Sequence, residues 1–86
     1  MISYAAVDRI EEDTYVVCEV ELIELEKSHL INNIDKKIKM MDVLMVDILD
    51  NIESVKENDV LVVEHNGENI IQVLYKDDEE KQRRLG

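Results

Sequence analysis

The chain has 86 residues, of which 45% are hydrophobic, and it carries 21 acidic against 10 basic side chains, a net charge of −11. This length predicts a single small domain over residues 1–86, and the excess of carboxylates argues against nucleic acid and membrane surfaces as partners, because both are anionic. Since neither a long apolar run nor a basic leader is present, we expect no membrane span, no signal peptide and a cytoplasmic location.

The first twenty residues have the pattern of a β-hairpin. Residues 2–10, ISYAAVDRI, lead into the polar EED of residues 11–13, and TYVVCEV follows with its β-branched side chains. These segments predict two antiparallel strands joined by a turn. From Val16 to Leu22 the apolar residues lie at even positions and beyond that point at odd ones, so we expect a bulge or sharp turn near Glu21 and Leu22.

Three side chains in this hairpin invite a chemical interpretation. Cys18, the single cysteine, lies among valines and is predicted to be a buried structural thiol. Asp8 and Arg9 come at the end of the first strand, where they are expected to form an ion pair beside the turn or to serve in recognition of a partner.

The middle of the chain permits two interpretations. KMMDVLMV at residues 39–46 returns seventeen positions later as KENDVLVV, residues 56–63, which predicts a duplicated strand unit. The same stretch also carries a helical apolar stripe. We favour a strand over residues 42–49, preceded by a short helical or irregular stretch over residues 28–38. The alternative is one long central helix over residues 29–52.

The clearest local signal is a second hairpin around Asn66-Gly67, a pair that predicts a two-residue type I′ turn. In that register Val63 faces Ile70. One face of the hairpin, assigned to the core, then carries Val60, Val62, Ile71 and Val73. The opposite face contains Leu61, Val63 and Ile70, and is predicted to be covered as well or to meet a partner.

The C-terminal segment DDEEKQRRLG predicts a short helix. Asp77 is placed as its N-cap with Glu80 three residues on, a capping-box arrangement. The ion pairs Glu79/Arg83 and Glu80/Arg84 are expected at a spacing of four residues, and docking is expected through Leu85. The sequence thus predicts a mainly β domain, a small antiparallel barrel-like sheet of five or six strands with a short C-terminal helix. The alternative is an α+β fold with the long central helix.

Residues with catalytic or metal-binding potential are sparse. The chain has no glycine-rich nucleophile elbow, phosphate-binding loop or EF-hand loop, and His29 and His65 have no histidine or cysteine at ligand spacing. We therefore expect no enzymatic activity, no cofactor and no metal. Both histidines are expected in exposed loops or turns.

Four segments in order resemble a family of short bacterial proteins, the domain of unknown function numbered three thousand and six. They are AAVDRIEEDTYVVCEVE, IELEKSHL, VKENDVLVVE and KDDEEKQRR. The resemblance covers about two-thirds of the chain and implies a small, mainly β, barrel-like domain without known activity, some relatives being accessory segments beside metallo-β-lactamase-like hydrolases. Asn58 stands where the family usually has glycine, and this chain is longer in the middle than its typical members.

Two functions follow as expectations. The first is a non-catalytic protein-interaction or regulatory accessory module, with Leu61, Val63, Ile70, Asp8 and Arg9 as partner-binding residues. The second is an acidic mimic of nucleic acid that occupies a basic DNA- or RNA-binding protein, since the acidic clusters EED, EVELIELE and DDEE resemble a phosphate surface. The apolar content is also compatible with a homo-oligomer.

Overall fold

The computed structural model describes residues 1–31 and 35–86. It confirms the mainly β class with a short C-terminal helix, and none of its described helices is long and apolar enough to cross a membrane. One antiparallel sheet has the strand order β3-β2-β1-β4-β5. The elements are β1 Ile2–Glu11, β2 Tyr15–Glu21, a 3-10 helix Leu25–Leu30, β3 Ile38–Leu44, α1 Met45–Leu49, β4 Val60–His65, β5 Ile70–Lys76 and α2 Asp78–Leu85.

The sheet is open, so the barrel-like closure expected from the sequence is wrong. β3 and β5 are its two edges, and Lys39 Nζ on β3 lies 2.6 Å from Glu68 Oε2 in the loop that precedes β5. The reason is that α1 lies between the edges and fills the space with Ile48, which is fully buried, and with Ile52 beyond it. Five short strands therefore curl around a helix and do not pair with each other at the edges.

The first hairpin forms as predicted, but its bulge lies elsewhere. Glu12 and Asp13 adopt positive φ angles of 51° and 55°, which the polar EED turn tolerates. The register skips one residue at Asp8, because Val7 faces Cys18 and Arg9 faces Val17. β2 ends at Glu21 and the chain bends at Leu22 and Ile23, which confirms the predicted alternative of a sharp turn at this place. A bulge at Asp8 reverses the face of β1, so that Ile10 still packs on the core.

Two apolar layers stabilise the sheet. The core lies on the face covered by α1, and its buried residues include Ala5, Val16, Cys18, Val20, Met41, Leu61 and Val63. The opposite face is called the second face here. It carries Val60 and Val62, which are also buried, and α2 packs against β4 on this side. Burial of Cys18 is confirmed, and desolvation raises the pKa of its thiol to about 12.

The register of the second hairpin differs from the prediction. His65 faces Ile70 and Val63 faces Val73, which leaves a four-residue loop over residues 66–69. The reason is the Asn66 side chain, whose Oδ1 accepts hydrogen bonds from the N–H groups of Glu68 and Asn69 at 2.9 and 2.7 Å. This Asx turn closes a wider loop in which Gly67 has a positive φ of 88°.

This register changes which side chains are buried. Leu61 and Val63 lie in the core together with Val73, whereas Ile71, assigned to the core from the sequence, is 60% exposed. Both faces of β4 are apolar, so alternation alone did not identify the inner face.

The strand predicted over residues 42–49 is correct only as far as Leu44, so the two similar segments are not one duplicated strand unit, and the long central helix over residues 29–52 is wrong. The strand β3 begins at Ile38 and ends at Leu44, and Met45–Leu49 is the helix α1, whereas the matching VLVV of the second copy is entirely strand. Residues 32–34 of the stretch predicted as helical or irregular lie outside the described residues. The similar segments at residues 39–46 and 56–63 therefore have different local structures, because the chain after Leu44 turns inward and places Ile48 in the core.

The capped C-terminal helix is confirmed. Asp77 Oδ1 accepts the N–H of Glu80 at 3.0 Å, and Glu80 pairs with Arg84 four residues on, as expected. Arg83 pairs with Glu80 and not with Glu79, the partner expected from the sequence. Leu85 is 63% exposed, so docking through this residue is wrong. Charged side chains, described below, dock α2 instead.

Candidate partner-binding edge

The edge strand β3 presents backbone hydrogen-bonding groups away from the sheet. The N–H of Leu22 donates to Lys37 O at 2.9 Å, and the N–H of Met45 donates to Thr14 O at 2.9 Å. Since hydrogen-bonded positions alternate in an antiparallel ladder, the odd-numbered residues between them face β2. The even-numbered residues, Ile38, Met40, Asp42 and Leu44, therefore direct their N–H and C=O groups outward.

The same positions carry an exposed apolar row on the second face. Ile38 is 51% exposed, Met40 45% and Leu44 50%, and Asp42 interrupts the row. Tyr15 lies opposite Leu44 on β2 and is 37% exposed. We call Ile38, Met40 and Leu44 the β3 row. Three large apolar side chains beside backbone groups to which no described residue hydrogen-bonds are the features that strand addition uses, with the backbone providing affinity and alternate side chains providing specificity.

The other edge of the sheet is partly blocked. Asn51 Nδ2 donates a hydrogen bond of 2.7 Å to Val73 O on β5, and Lys76 Nζ donates to Ser54 O at 3.1 Å. The segment between α1 and β4 thus contacts β5 and uses one of its carbonyl groups. Within residues 1–31 and 35–86, no segment hydrogen-bonds to the outward backbone groups of β3, although the side chain of Glu68, from the loop before β5, reaches Lys39 near the start of this strand.

The position of α2 leaves the β3 row uncovered. Arg84 Nη2 is 2.7 Å from Glu21 Oε2 at the end of β2, and its Nε is 2.8 Å from Glu80 Oε2. The guanidinium also lies 5.1 Å from the ring centroid of Tyr4 on β1. These contacts fix the helix over β4, β1 and the last residue of β2, so that the part of the second face formed by β3 stays accessible.

A second ionic contact holds the start of α2. The side chain of Asp59 is 1% exposed, accepts the N–H of Lys56 at 2.9 Å and binds Lys81 Nζ at 2.8 Å. Burial by itself would raise the pKa of Asp59, but the Lys81 ammonium and the Lys56 N–H outweigh burial and lower it. Asn58, before it, has a positive φ of 71°, which asparagine adopts more readily than most side chains.

The ionic residues around Arg84 line a groove of about 670 Å³ next to Ile38. Glu21 accepts from Ser28 Oγ at 2.7 Å in addition to Arg84, and Lys36 Nζ lies 3.6 Å from it. In the part of the chain that the structure describes, no buried side-chain polar atom lacks a hydrogen-bond partner. The charges of this groove are satisfied by one another, and nothing among them points to a ligand.

Ser3 and His65 have the spacing of a nucleophile and a base, but their hydrogen bonds are of a different kind. Ser3 Oγ donates to Ile23 O at 2.6 Å and lies 2.9 Å from His65 Nε2, while His65 Nδ1 accepts the N–H of Gly67 at 3.0 Å. His65 therefore carries its proton on Nε2 and donates it to Ser3, the reverse of general-base catalysis. Both residues are buried, which corrects the expectation that His65 is exposed.

The buried His65 predicts a loss of stability in mild acid. Desolvation, with the nearby N-terminal ammonium, lowers the pKa of His65. The unfolded chain binds a proton near pH 6.5, and the folded chain resists it, so the free energy of unfolding falls as pH drops from about 7 to about 5. Urea titrations repeated at several pH values should show this decrease in the free energy of unfolding for the parent chain and for His29→Gln, but not for His65→Gln. If His65→Gln lost stability with falling pH as steeply as the parent chain, protonation of His65 would not be the cause.

The structure separates the residues predicted to bind a partner. Leu61 and Val63 are 0% exposed and lie in the core, so of the two alternatives predicted for this face the covered one is confirmed, and these two side chains are not accessible to a partner. Ile70 packs partly against the same core. Asp8 and Arg9 are exposed at the bulge, with Arg9 Nη1 2.8 Å from Asp8 Oδ2 and Nε 2.6 Å from Glu11 Oε1. The expected ion pair is confirmed.

The β3 row is not among the residues predicted from the sequence to bind a partner. Ile38, Met40 and Leu44 do lie at even positions, as alternation in a strand requires, but the predicted strand begins four residues after the observed one. A small open antiparallel sheet with one blocked edge and one accessible edge is therefore the class of domain that this chain forms. Comparisons with protein-family models, curated proteins and solved structures found no match. The resemblance to the domain-of-unknown-function family stays a prediction.

Proposed function

We propose that this domain is a non-catalytic protein-interaction module that takes up an extended segment of a partner along β3. The observation that carries the proposal is the coincidence, on one edge strand, of outward backbone groups and an exposed apolar row at Ile38, Met40 and Leu44. Each alternate side chain of an added strand would extend this row on the second face.

The contrast between the two edges supports this proposal. On β5 an outward carbonyl, that of Val73, is bonded to Asn51, whereas β3 carries one exposed charge, Asp42, on its second face. Proteins that avoid edge pairing usually place several charges or a covering loop at the edge. The internal use of Glu21, Asp59 and Glu80 in ion pairs also removes three carboxylates from the surface that a nucleic-acid mimic would need.

A proline at an outward position tests strand addition. Met40→Pro removes an N–H that is not used by the β2–β3 ladder, so the fold should persist, as proline is tolerated on edge strands. We expect Met40→Pro and Met40→Lys to lose the proteins that the parent chain retains in affinity capture from its own cells. Ile71→Lys, which adds the same charge at an exposed position on β5, should retain them.

Ionic strength separates this function from the acidic mimic. Capture through apolar and backbone contacts should be nearly unchanged between about 50 and 200 mM salt, whereas a mimic bound to a basic protein would lose its partner steeply over that range. If Met40→Pro still captured the same proteins, and if these proteins were released at high salt, the acidic nucleic-acid mimic would be the better account of the function.

A further inference from the structure

We infer that the strand added to β3 is the β3 of a second copy of this chain, an inference that rests on the proposed function of that edge. Two β3 strands would pair antiparallel about a two-fold axis and join the two sheets into one ten-stranded sheet. Such an interface is isologous, so one self-complementary strand is sufficient to form it.

The register of this pairing follows from the strand itself. Met41 is the midpoint of Ile38–Leu44. With the axis at Met41, Ile38 lies opposite Leu44 of the second copy and Met40 lies opposite its Asp42. All of the outward-directed residues in β3 then occupy hydrogen-bonded pairs. An axis at Asp42 would oppose two carboxylates, and an axis at Met40 would leave Leu44 beyond the end of the second strand.

Side-chain chemistry favours the same partner. Ile38 and Leu44, each about half exposed, would pack across the interface on the second face. β3 contains a single acidic residue in a chain of net charge −11, so it is a stretch along which two copies can approach with little repulsion.

Sedimentation equilibrium from micromolar to millimolar concentration tests the association. The full chain should be a reversible dimer, and Met40→Pro should weaken the dimer by at least roughly tenfold. Ile71→Lys should leave it unchanged. Circular dichroism of each variant would show that the fold is retained, so that a monomer is not mistaken for an unfolded chain.

Cross-linking tests the register. Ile38→Cys and Leu44→Cys are both exposed positions, and an antiparallel hydrogen-bonded pair has a Cα separation of about 5.5 Å, within reach of a disulfide. A mixture of the two variants, oxidised with oxidised glutathione, should give a covalent dimer, while neither variant alone should. Cys18 is buried with a raised thiol pKa and does not compete.

The outcomes distinguish this inference from the proposed function. A chain that is monomeric at every concentration, or a dimer that survives Met40→Pro, overturns the two-fold pairing. If a mixture of Ile38→Cys and Asp42→Cys formed more covalent dimer than the mixture of Ile38→Cys and Leu44→Cys, the register centred on Met41 would be wrong. If the chain is monomeric yet loses captured proteins on Met40→Pro, the edge function stands with a different strand as its occupant.

Discussion

Replacing Ile48 with alanine should reduce the free energy of unfolding by about 3 kcal/mol, the usual cost of removing a buried large aliphatic side chain. Ile48 is fully buried and α1 has only five residues, too few to be helical in isolation. The helix therefore forms because this side chain fills the space between β3 and β5. A loss of this size is a large part of the stability of a small domain.

Val46→Ala is the matched control in the same helix. Val46 is 67% exposed, so its truncation should change the free energy of unfolding by no more than about 0.5 kcal/mol. Urea denaturation of both variants, analysed with the same dependence of the free energy of unfolding on urea concentration, measures the difference between their stabilities. If both variants lost the same free energy of unfolding, Ile48 would not fill the space between β3 and β5 as described.

Replacing Arg84 with methionine should reduce the free energy of unfolding by about 2 kcal/mol, below the roughly 3–5 kcal/mol usual for breaking a fully buried ion pair. The change removes the cation between Glu21 and Glu80, whose side chains are 5% and 10% exposed. The cost is moderated because the Arg84 side chain is itself 30% exposed, and because Lys36 and Arg83 still lie near the two carboxylates.

Arg83→Met provides the control, since Arg83 is 69% exposed and contacts only Glu80 among these residues. Its expected effect is within about 0.5 kcal/mol. Adding Glu80→Gln to Arg84→Met should recover part of the loss, because one unpaired buried charge is then removed. If the double variant were no more stable than Arg84→Met alone, lost packing on Tyr4 would account for the effect instead of charge.

The two proposals for the β3 edge have a joint consequence. If a second copy and a foreign strand bind the same backbone groups, they compete, and the dimer is the state that a partner must displace. The apparent dissociation constant for another protein, expressed against total chain concentration, should then rise once the chain concentration enters the range in which the dimer forms. Met40→Pro should abolish both kinds of association together, whereas Ile71→Lys should affect neither.

Several elements were predictable because they depend on neighbours in the sequence. The capping of α2 requires only Asp77 and the N–H of Glu80, and the EED turn requires polar residues that accept positive φ angles. The first hairpin and the burial of Cys18 followed from the alternation of β-branched residues. The ion pair between Asp8 and Arg9 joins adjacent residues.

The predictions that failed concern features that depend on contacts between residues far apart in the sequence. β4 is apolar on both faces, so its sequence could not show that Leu61 faces the core beneath α1 while Val62 faces away. The hairpin loop is wider than Asn66-Gly67 predicts because the Asn66 side chain caps it. The ionic contacts of Arg84 and Asp59 with residues on other elements had no signal in local spacing.

What the sequence by itself determined is the class of fold, its turns and its capped terminal helix, since these depend on backbone preferences and on side chains a few residues apart. Only the tertiary structure decided where β3 ends, which face of β4 is inner, and which edge of the sheet stays accessible. Alternation shows which residues share a face, but the side chains that cover that face come from distant parts of the chain. Ile48 packs on one face of the sheet and Arg84 on the other, and the β3 row lies on a part of the second face that neither of them covers.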